Sequence, residues 1–213
     1  QSDVEDKQSN LLTGIDNFDL AFSLVKPVLA EITFTPITGI AKPNQPLIVM
    51  GKSGSGKSSL LYSTVGFLPY EGSITVGGIE LSNISNTERE KYISMLLQDD
   101  YLFNSTIREN LKIGKSDATD EELMQVLSVV ELTELITSLP DGLDTHIGAY
   151  GYNFSGGEKQ RIKLARVLLR DTPIYLLDEP FEYLDKELFS RISERIKLRL
   201  SNKTLVVVSH LPI

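Results

Sequence analysis

The sequence contains no cysteine, no apolar run long enough to cross a bilayer and no surplus of positive charge. Without cysteine, the chain cannot form disulfides, thiolate zinc sites or a thiol nucleophile. A membrane span takes about 20 apolar residues, whereas apolar stretches such as Leu47–Met50 and Leu205–Val208 have the length of buried strands. The 213 residues include 21 Lys and Arg against 29 Asp and Glu. This acidic balance argues against a nucleic-acid-binding protein, which needs many basic side chains to neutralise phosphates.

The first ten residues, QSDVEDKQSN, also lack the basic and apolar regions of a signal peptide. We interpret residues 1–16 as a linker and residues 17–213 as one folded domain. Because the chain begins without Met and stops at SHLPI, we expect it to be a fragment of a longer protein that is truncated at its C-terminal end.

Apolar patterning predicts strands that alternate with helices, which indicates an α/β domain with a mostly parallel sheet. Short β-like segments occupy Phe18–Thr35, including ITFT, and continuous apolar runs such as PLIVM are typical of strands covered on both faces. Residues 104–140 have helical spacing instead. Further predicted strands are GSITV, YISMLL, IYLLD and TLVVVSH, and further predicted helices are SSLLYSTVGFL, EKQRIKLARVLLR and KELFSRISERIKLRL.

The segment GKSGSGKS, Gly51–Ser58, fits the phosphate-binding pattern G-x-x-x-x-G-K-[ST] and lies between an apolar strand and a helix. In such a loop the backbone N–H groups and the helix N-terminus hold phosphates. Lys57 would reach the β- and γ-phosphates of ATP, and the Ser58 hydroxyl would bind Mg²⁺. A flexible Gly/Ser linker is the simpler alternative. The residues predicted to bind ATP here are Gly51, Lys52, Ser53, Gly54, Ser55, Gly56, Lys57, Ser58 and Ser59.

A second motif, IYLLDEP, places Asp178 and Glu179 at the end of a predicted buried strand, where α/β sheets bind ligands. Asp178 would bind Mg²⁺, and Glu179 would orient the attacking water. A strand that ends in a solvated acidic turn would have the same pattern, but the phosphate-binding loop upstream favours the catalytic interpretation.

Between these motifs lies NFSGGEKQR, Asn153–Arg161, in which a hydroxyl and glycine amides precede a basic helix. Alone, SGG is most often a helix cap. In this order and spacing, the sequence resembles the ATP-binding-cassette (ABC) ATPase family, whose signature is LSGGQ. Phe154 and Glu158 depart from that pattern. The signature residues, which the resemblance implies face the ATP of a partner cassette, are Ser155, Gly156, Gly157 and Glu158.

The resemblance implies roles for four more positions. Gln98 would contact Mg²⁺ and the attacking water, and His210 would hold the γ-phosphate. Asp185 matches the family's D-loop, in EYLD with a bulky Tyr183. Phe22 falls where the family places an aromatic ring that stacks on adenine, although it could equally be a core residue of a strand.

The resemblance also implies an architecture and a partner. The expected fold is a RecA-like core with a small antiparallel β lobe and a helical subdomain at about 104–155. Two cassettes would dimerise head to tail over two ATP·Mg²⁺. Hydrolysis would then drive export by membrane domains in the same full-length chain, at the cytoplasmic face of the cell membrane. No nucleic-acid partner is expected.

The segments DDYLFNSTIRENL and LPDGLDTHIGAYGYNFSGGEKQR resemble the exporter subfamily. Exporters usually carry acidic residues in the loop at Thr145–Gly151, where this chain has none, so a heterodimer is favoured over a homodimer. DEPFEYLD is similar to one subunit of the heterodimeric bacterial thiol exporters required for cytochrome bd assembly. The alternative function is a catalytically weak, regulatory half of such a heterodimer.

Overall fold

The computed structural model describes residues 10–30, 32, 34–52, 54–148 and 151–210. The chain divides into two compact units. The first comprises residues Gln1–Met95, Thr172–Glu179 and Leu200–Ile213, and the second comprises Leu96–Asp171 and Pro180–Arg199.

The described chain contains eight strands and seven α-helices. The strands are β1 (Leu20–Pro27), β2 (Ile37–Ala41), β3 (Leu47–Met50), β4 (Tyr70–Val76), β5 (Ile79–Glu80), β6 (Ile93–Leu96), β7 (Ile174–Asp178) and β8 (Thr204–Ser209). The helices are α1 (Lys57–Val65), α2 (Asn86–Tyr92), α3 (Ile107–Lys112), α4 (Asp120–Val129), α5 (Thr133–Ser138), α6 (Gly156–Leu168) and α7 (Lys186–Arg199).

The first unit contains two four-stranded sheets. One has the order β2-β1-β4-β5 and is antiparallel. The other has the order β3-β8-β7-β6, and in it β3 and β7 each pair with β8 in parallel. A cluster of buried apolar side chains from both sheets and α1, including Leu60, Ile74 and Val206, forms the core of this unit. The predicted α/β class, with a parallel sheet and a small antiparallel one, is confirmed.

The parallel pairing brings several strand ends to one edge. Met50 pairs with Ser209 and Asp178 pairs with Val208. Because β3, β7 and β8 run in the same direction, the residues that follow them leave the sheet at the same edge. These residues are Gly51, Glu179 and His210.

Three local features of the structure differ from what the sequence predicts. The described residues of the ITFT segment, Ile32, Phe34 and Thr35, belong to no strand: Ile32 makes an isolated bridge to Leu29, and the second strand, β2, begins after Pro36, which has no N–H for a ladder. β3 is only half-buried and ends at an exposed Met50, because it is the edge of its sheet in the described chain. Helix α2 was not predicted, since its sequence NTEREKY is polar.

The second unit contains α3 to α7. Helix α6 packs against α3 and α4 through buried side chains such as Ile162, Ala165 and Leu168. Helices α3, α4 and α6 each begin with a capping box, in which a Ser or Thr and a Glu three residues later satisfy backbone N–H groups. The predicted helical character of residues 104–140 is therefore confirmed. Among the described residues, no helix combines the length and apolarity that crossing a membrane requires.

Candidate functional site

The loop after β3 turns into helix α1 through two glycines with left-handed backbone conformations. Gly54 has φ +78° and Gly56 has φ +90°, which only glycine adopts without strain. Gly56 occupies the N-cap position of α1, and no side chain caps the helix there. The first N–H groups of α1 are therefore available to a ligand, and a helix N-terminus favours an anion.

The Lys57 side chain lies inside this loop. The residue is only 8% exposed, and its Nζ donates to the carbonyl oxygens of Gly51 and Lys52 at 2.9 and 3.1 Å. The loop is tightened further by a hydrogen bond from the Ser55 N–H to the Lys52 carbonyl oxygen, at 3.2 Å. The ammonium group is thus held where it would meet a phosphate bound by the N–H groups of the loop.

The close packing of Gly56 leads to a prediction about stability. A Cβ at Gly56 would lie 2.3 Å from Cδ1 of the buried Phe34, whereas a Cβ at Gly54 would meet no atom within 4 Å. Gly54→Ala should cost about 1–2 kcal/mol through its left-handed conformation alone. Gly56→Ala should cost about 1–3 kcal/mol more through the added overpacking. Thermal unfolding of both variants checks this, and equal losses would contradict the packing role of Phe34.

Asp178 and Glu179 occupy the carboxyl end of β7, whose five residues are all buried. Asp178 is the last residue of the strand. The Glu179 backbone N–H donates to the Val208 carbonyl oxygen at 3.0 Å, which fixes its position beside β8. Glu179 has φ +45°, a strained conformation for a residue with a side chain, and such strain is typical of active sites.

The side chain of Glu179 contacts His210 directly. Oε2 of Glu179 accepts a hydrogen bond from the backbone N–H of His210 at 3.2 Å and lies 2.8 Å from Nδ1 of its ring. The carboxylate is buried, and the imidazole is half-exposed. Sequence reasoning assigned these two residues separate roles and missed their direct contact, although adjacent β7 and β8 both end at this edge.

The residues at this edge fit ATP and Mg²⁺. The loop offers unpaired helix N–H groups, left-handed glycines that a Cβ would disturb, and a lysine ammonium group. Mg²⁺ prefers oxygen ligands, which the buried Asp178 carboxylate and the half-buried Ser58 hydroxyl provide. Ser59 is also half-buried in the first turn of α1. Ser53, which was predicted to bind ATP as well, lies outside the described residues.

The structure corrects the stacking role predicted for Phe22. This residue is 2% exposed and belongs to the core of the first unit. In β1 it lies between Gly39 and Ile74 of the two neighbouring strands. Its ring therefore has no free face for adenine, and the alternative interpretation, a core residue of a strand, is correct.

The predicted signature lies in the second unit, at the start of α6. Ser155 is the N-cap: its Oγ accepts from the Glu158 N–H at 3.2 Å, and a Glu158 carboxylate oxygen accepts from the Ser155 N–H at 2.8 Å. Glu158 therefore closes a capping box, which accounts for a glutamate at this position. The SGG pattern alone predicts a helix cap, but the Ser-x-x-Glu spacing, which specifies a capping box, was missed.

Tyr183 of the predicted D-loop lies against the signature glycines. It has φ +67° and is 70% exposed. A Cβ at Gly157 would lie 3.3 Å from the Tyr183 carbonyl oxygen, and one at Gly156 would contact its ring at 4.0 Å. Two residues on, hydrogen bonds from the N–H groups of Leu188 and Glu187 hold the pKa of Asp185 below its ordinary value, so this carboxylate caps α7.

Gln98 belongs to the second unit and lies, exposed, two residues after the end of β6. The neighbouring Asp100 is fixed to α6 by an ion pair with the buried Arg166 at 2.7 Å and by Lys163, whose Nζ donates to the Asp100 carbonyl oxygen at 2.8 Å. The contacts of Gln98 with Mg²⁺ and the attacking water stay a prediction.

Comparisons with known proteins also indicate an ATP-binding transport protein. A family model described as ABC transporter matches residues 34–182. The transport ATP-binding protein AarD of Providencia stuartii is 37% identical to this chain over 176 residues, 83% of this chain and 30% of that protein. The mitochondrial iron-sulfur clusters transporter ATM1 of Kluyveromyces lactis is 36% identical over 198 residues, 92% of this chain and 27% of that protein.

The fold is also similar to that of a solved structure. A bacterial Atm1-family ABC exporter with ATP bound superposes with a TM-score of 0.87 at 26% sequence identity. The match covers 99% of this chain and 37% of the other. The chain thus spans only about a third of the length of the proteins that it resembles.

Proposed function

Because the chain belongs to the ABC transporter family, we propose that it binds and hydrolyses ATP and that this hydrolysis drives export across a membrane. The observation that carries the proposal is the edge of the parallel sheet in the first unit. The phosphate-binding loop after β3, the acidic pair at the end of β7 and His210 after β8 all leave the sheet there.

Each group at this edge has a distinct task in phosphoryl transfer. The loop N–H groups and Lys57 hold the β- and γ-phosphates of ATP, and the Asp178 carboxylate and the Ser58 hydroxyl hold Mg²⁺. Mg²⁺, when bound, neutralises charge on the phosphate oxygens. Glu179 accepts a hydrogen bond from the attacking water and orients it for in-line attack. His210 fixes the Glu179 carboxylate through their 2.8 Å contact and presents its half-exposed ring to the γ-phosphate. Positioning and charge stabilisation thus supply most of the rate.

We further propose that the signature acts on the ATP of a second cassette in a head-to-tail dimer. Ser155 and the glycines after it offer a helix N-terminus, which suits a γ-phosphate. The membrane domains would belong to the same full-length chain, and the cassettes would lie at the cytoplasmic face of the membrane. The similarity to a bacterial Atm1-family ABC exporter supports export as the direction of transport.

Ser155→Asp separates action on a partner from action on the chain's own loop. Aspartate caps a helix as well as serine does, so the unfolding temperature should stay within about 2 °C of the wild-type value, a change of less than about 1 kcal/mol. ATP binding by the mutant chain, measured by calorimetry, should be unchanged. ATP turnover at the partner's loop should fall at least about tenfold, because the new aspartate carboxylate would repel the negatively charged γ-phosphate.

Loss of the mutant chain's own ATP binding would show that its signature serves its own loop. Ser155→Asn provides the matched control, since it keeps the cap without adding charge and should retain most of the turnover.

A regulatory half of a heterodimer is the second candidate function, and Tyr183 favours it. This bulky residue lies against Gly156 and Gly157 in a left-handed conformation, and a side chain of this size beside the signature would hinder the approach of a partner's ATP. The absence of acidic side chains in 145–151 supports a heterodimer on sequence grounds, although Ala149 and Tyr150 lie outside the described residues. Relation to the thiol exporters stays a prediction. If Tyr183→Ala raised turnover at the partner's site, the restricted signature of this candidate would be supported, and unchanged turnover would argue against it.

A further inference from the structure

The first unit contains a cavity of about 690 Å³ between the C-terminal end of α1, the start of β4 and the start of α2. Its volume is in the range of small-molecule sites. None of its lining residues belongs to the phosphate-binding loop, the acidic pair or His210. The lining residues on which the argument rests are Ser63, Gly66, Phe67, Tyr70, Asn86 and Arg89.

Arg89 brings a buried positive charge to this cavity. The residue is 5% exposed. Its Nε donates to the Ile84 carbonyl oxygen at 3.1 Å, and its Nη2 donates to the Leu81 carbonyl oxygen at 2.6 Å. Its Nη1 has no protein hydrogen-bond acceptor among the described residues, and no described carboxylate lies within 4.0 Å of the guanidinium group. Burial lowers the pKa of this group, yet arginine stays charged in proteins.

The one carboxylate that lines the cavity, Glu80, is already engaged elsewhere. Its oxygens accept from the Tyr70 hydroxyl at 3.2 Å, the Ser73 hydroxyl at 2.5 Å and the Ile74 N–H at 3.2 Å. Burial, together with this carboxylate, raises the pKa of Tyr70 to about 12, so the phenol stays a donor to Glu80. The charge of Arg89 is therefore left without a counter-ion in the described protein, and buried charges ordinarily have one.

Two further polar groups line the same space. The Ser63 hydroxyl is fully buried and has no hydrogen-bond partner among the described residues. The Asn86 amide is exposed to the cavity. Gly66 leaves Nη1 of Arg89 accessible from the cavity. A Cβ at this position would lie 2.6 Å from Arg89 Nη1 and 2.7 Å from Asn86 Oδ1.

We propose that this cavity binds a small organic anion with a single carboxylate, which Arg89 holds through Nη1 while the Asn86 amide adds a further hydrogen bond. A planar guanidinium group is well matched to a carboxylate. The engaged Glu80 disfavours a second negative charge on the ligand. The exposed ring of Phe67 at the rim offers a surface for an apolar or aromatic portion of the molecule.

The test titrates the chain with benzoate and, as a neutral molecule of the same shape, with benzamide. Backbone amide resonances report where each one binds. We expect benzoate to bind at least tenfold more tightly than benzamide, with shifts confined to the cavity and undiminished by saturating ATP. Equal affinity, shifts at the ATP loop or no binding of benzoate would each overturn the proposal.

Variants separate binding from folding. Asn86→Asp places a carboxylate beside Arg89 at an exposed position of α2, so the chain should remain folded while its affinity for benzoate falls at least tenfold. Asn86→Ser adds no charge, so this variant should lose much less of its affinity for benzoate. Arg89→Met removes the charge that holds the ligand, but this variant of a buried residue can fail to fold. An unchanged affinity for benzoate in the folded Asn86→Asp variant would overturn the proposal even in that case.

Discussion

Replacing Lys57 with alanine is expected to reduce the affinity of the chain for ATP at least about hundredfold, a loss of about 3 kcal/mol. This corresponds to one or two hydrogen bonds between charged groups, at about 1.5–3 kcal/mol each. The loss is large because the ammonium group already lies within the loop, bonded to the carbonyl oxygens of Gly51 and Lys52. Equilibrium titration with ATP in the presence of Mg²⁺ measures it.

Lys197→Ala is the matched control, since it removes an exposed lysine of α7 in the other unit. It should bind ATP as the wild type does. A Lys57→Ala chain that stays folded and binds ATP with unchanged affinity would contradict the assignment of the phosphate-binding loop.

The second large effect is expected at Glu179. Glu179→Gln keeps the size of the side chain and removes its charge, so ATP turnover should fall by about 10²–10⁴, the usual contribution of a positioned base. ATP binding should be retained, because the loop and Lys57 are untouched, and an ATP-bound closed dimer should accumulate. Steady-state turnover and size-exclusion chromatography of the same preparation measure both effects.

A variant at an exposed surface glutamate tests for a non-specific effect of the lost charge. Glu194→Gln changes an exposed glutamate of α7 and should leave turnover within about twofold of the wild-type value. If Glu179→Gln turned over ATP as fast as Glu194→Gln does, Glu179 would have no catalytic role and would only be a polar residue at the end of β7.

Much of the first unit could be predicted, because its central elements are specified locally. IYLLD and TLVVVSH are continuous apolar runs of strand length, and both are strands of the parallel sheet with every residue of β7 and β8 buried. The glycines of the Gly51–Ser58 loop and the acidic pair have a fixed spacing from such strands. The matches to ABC transporters confirm the resemblance to this family, and the solved structure that the chain resembles is that of an ABC exporter.

Other features depend on contacts that sequence patterns do not encode. Whether Phe22 faces a ligand or the core depends on pairing with both neighbouring strands of β1. The bond between Glu179 and His210 depends on β7 and β8 being adjacent, although they are separated by α7 in the chain. Arg89 lies in a polar segment, and only the packing of α2 against α1 shows that it is buried.

The central claim is that ATP binds where β3, β7 and β8 end. Titration of ATP and Mg²⁺ into the chain, followed through its backbone amide resonances, tests this most directly. The predicted result is saturation at one ATP per chain, with the largest shifts at Gly51–Ser58, Glu179 and His210. Saturation with the largest shifts elsewhere, or no shifts in a folded chain, would contradict it.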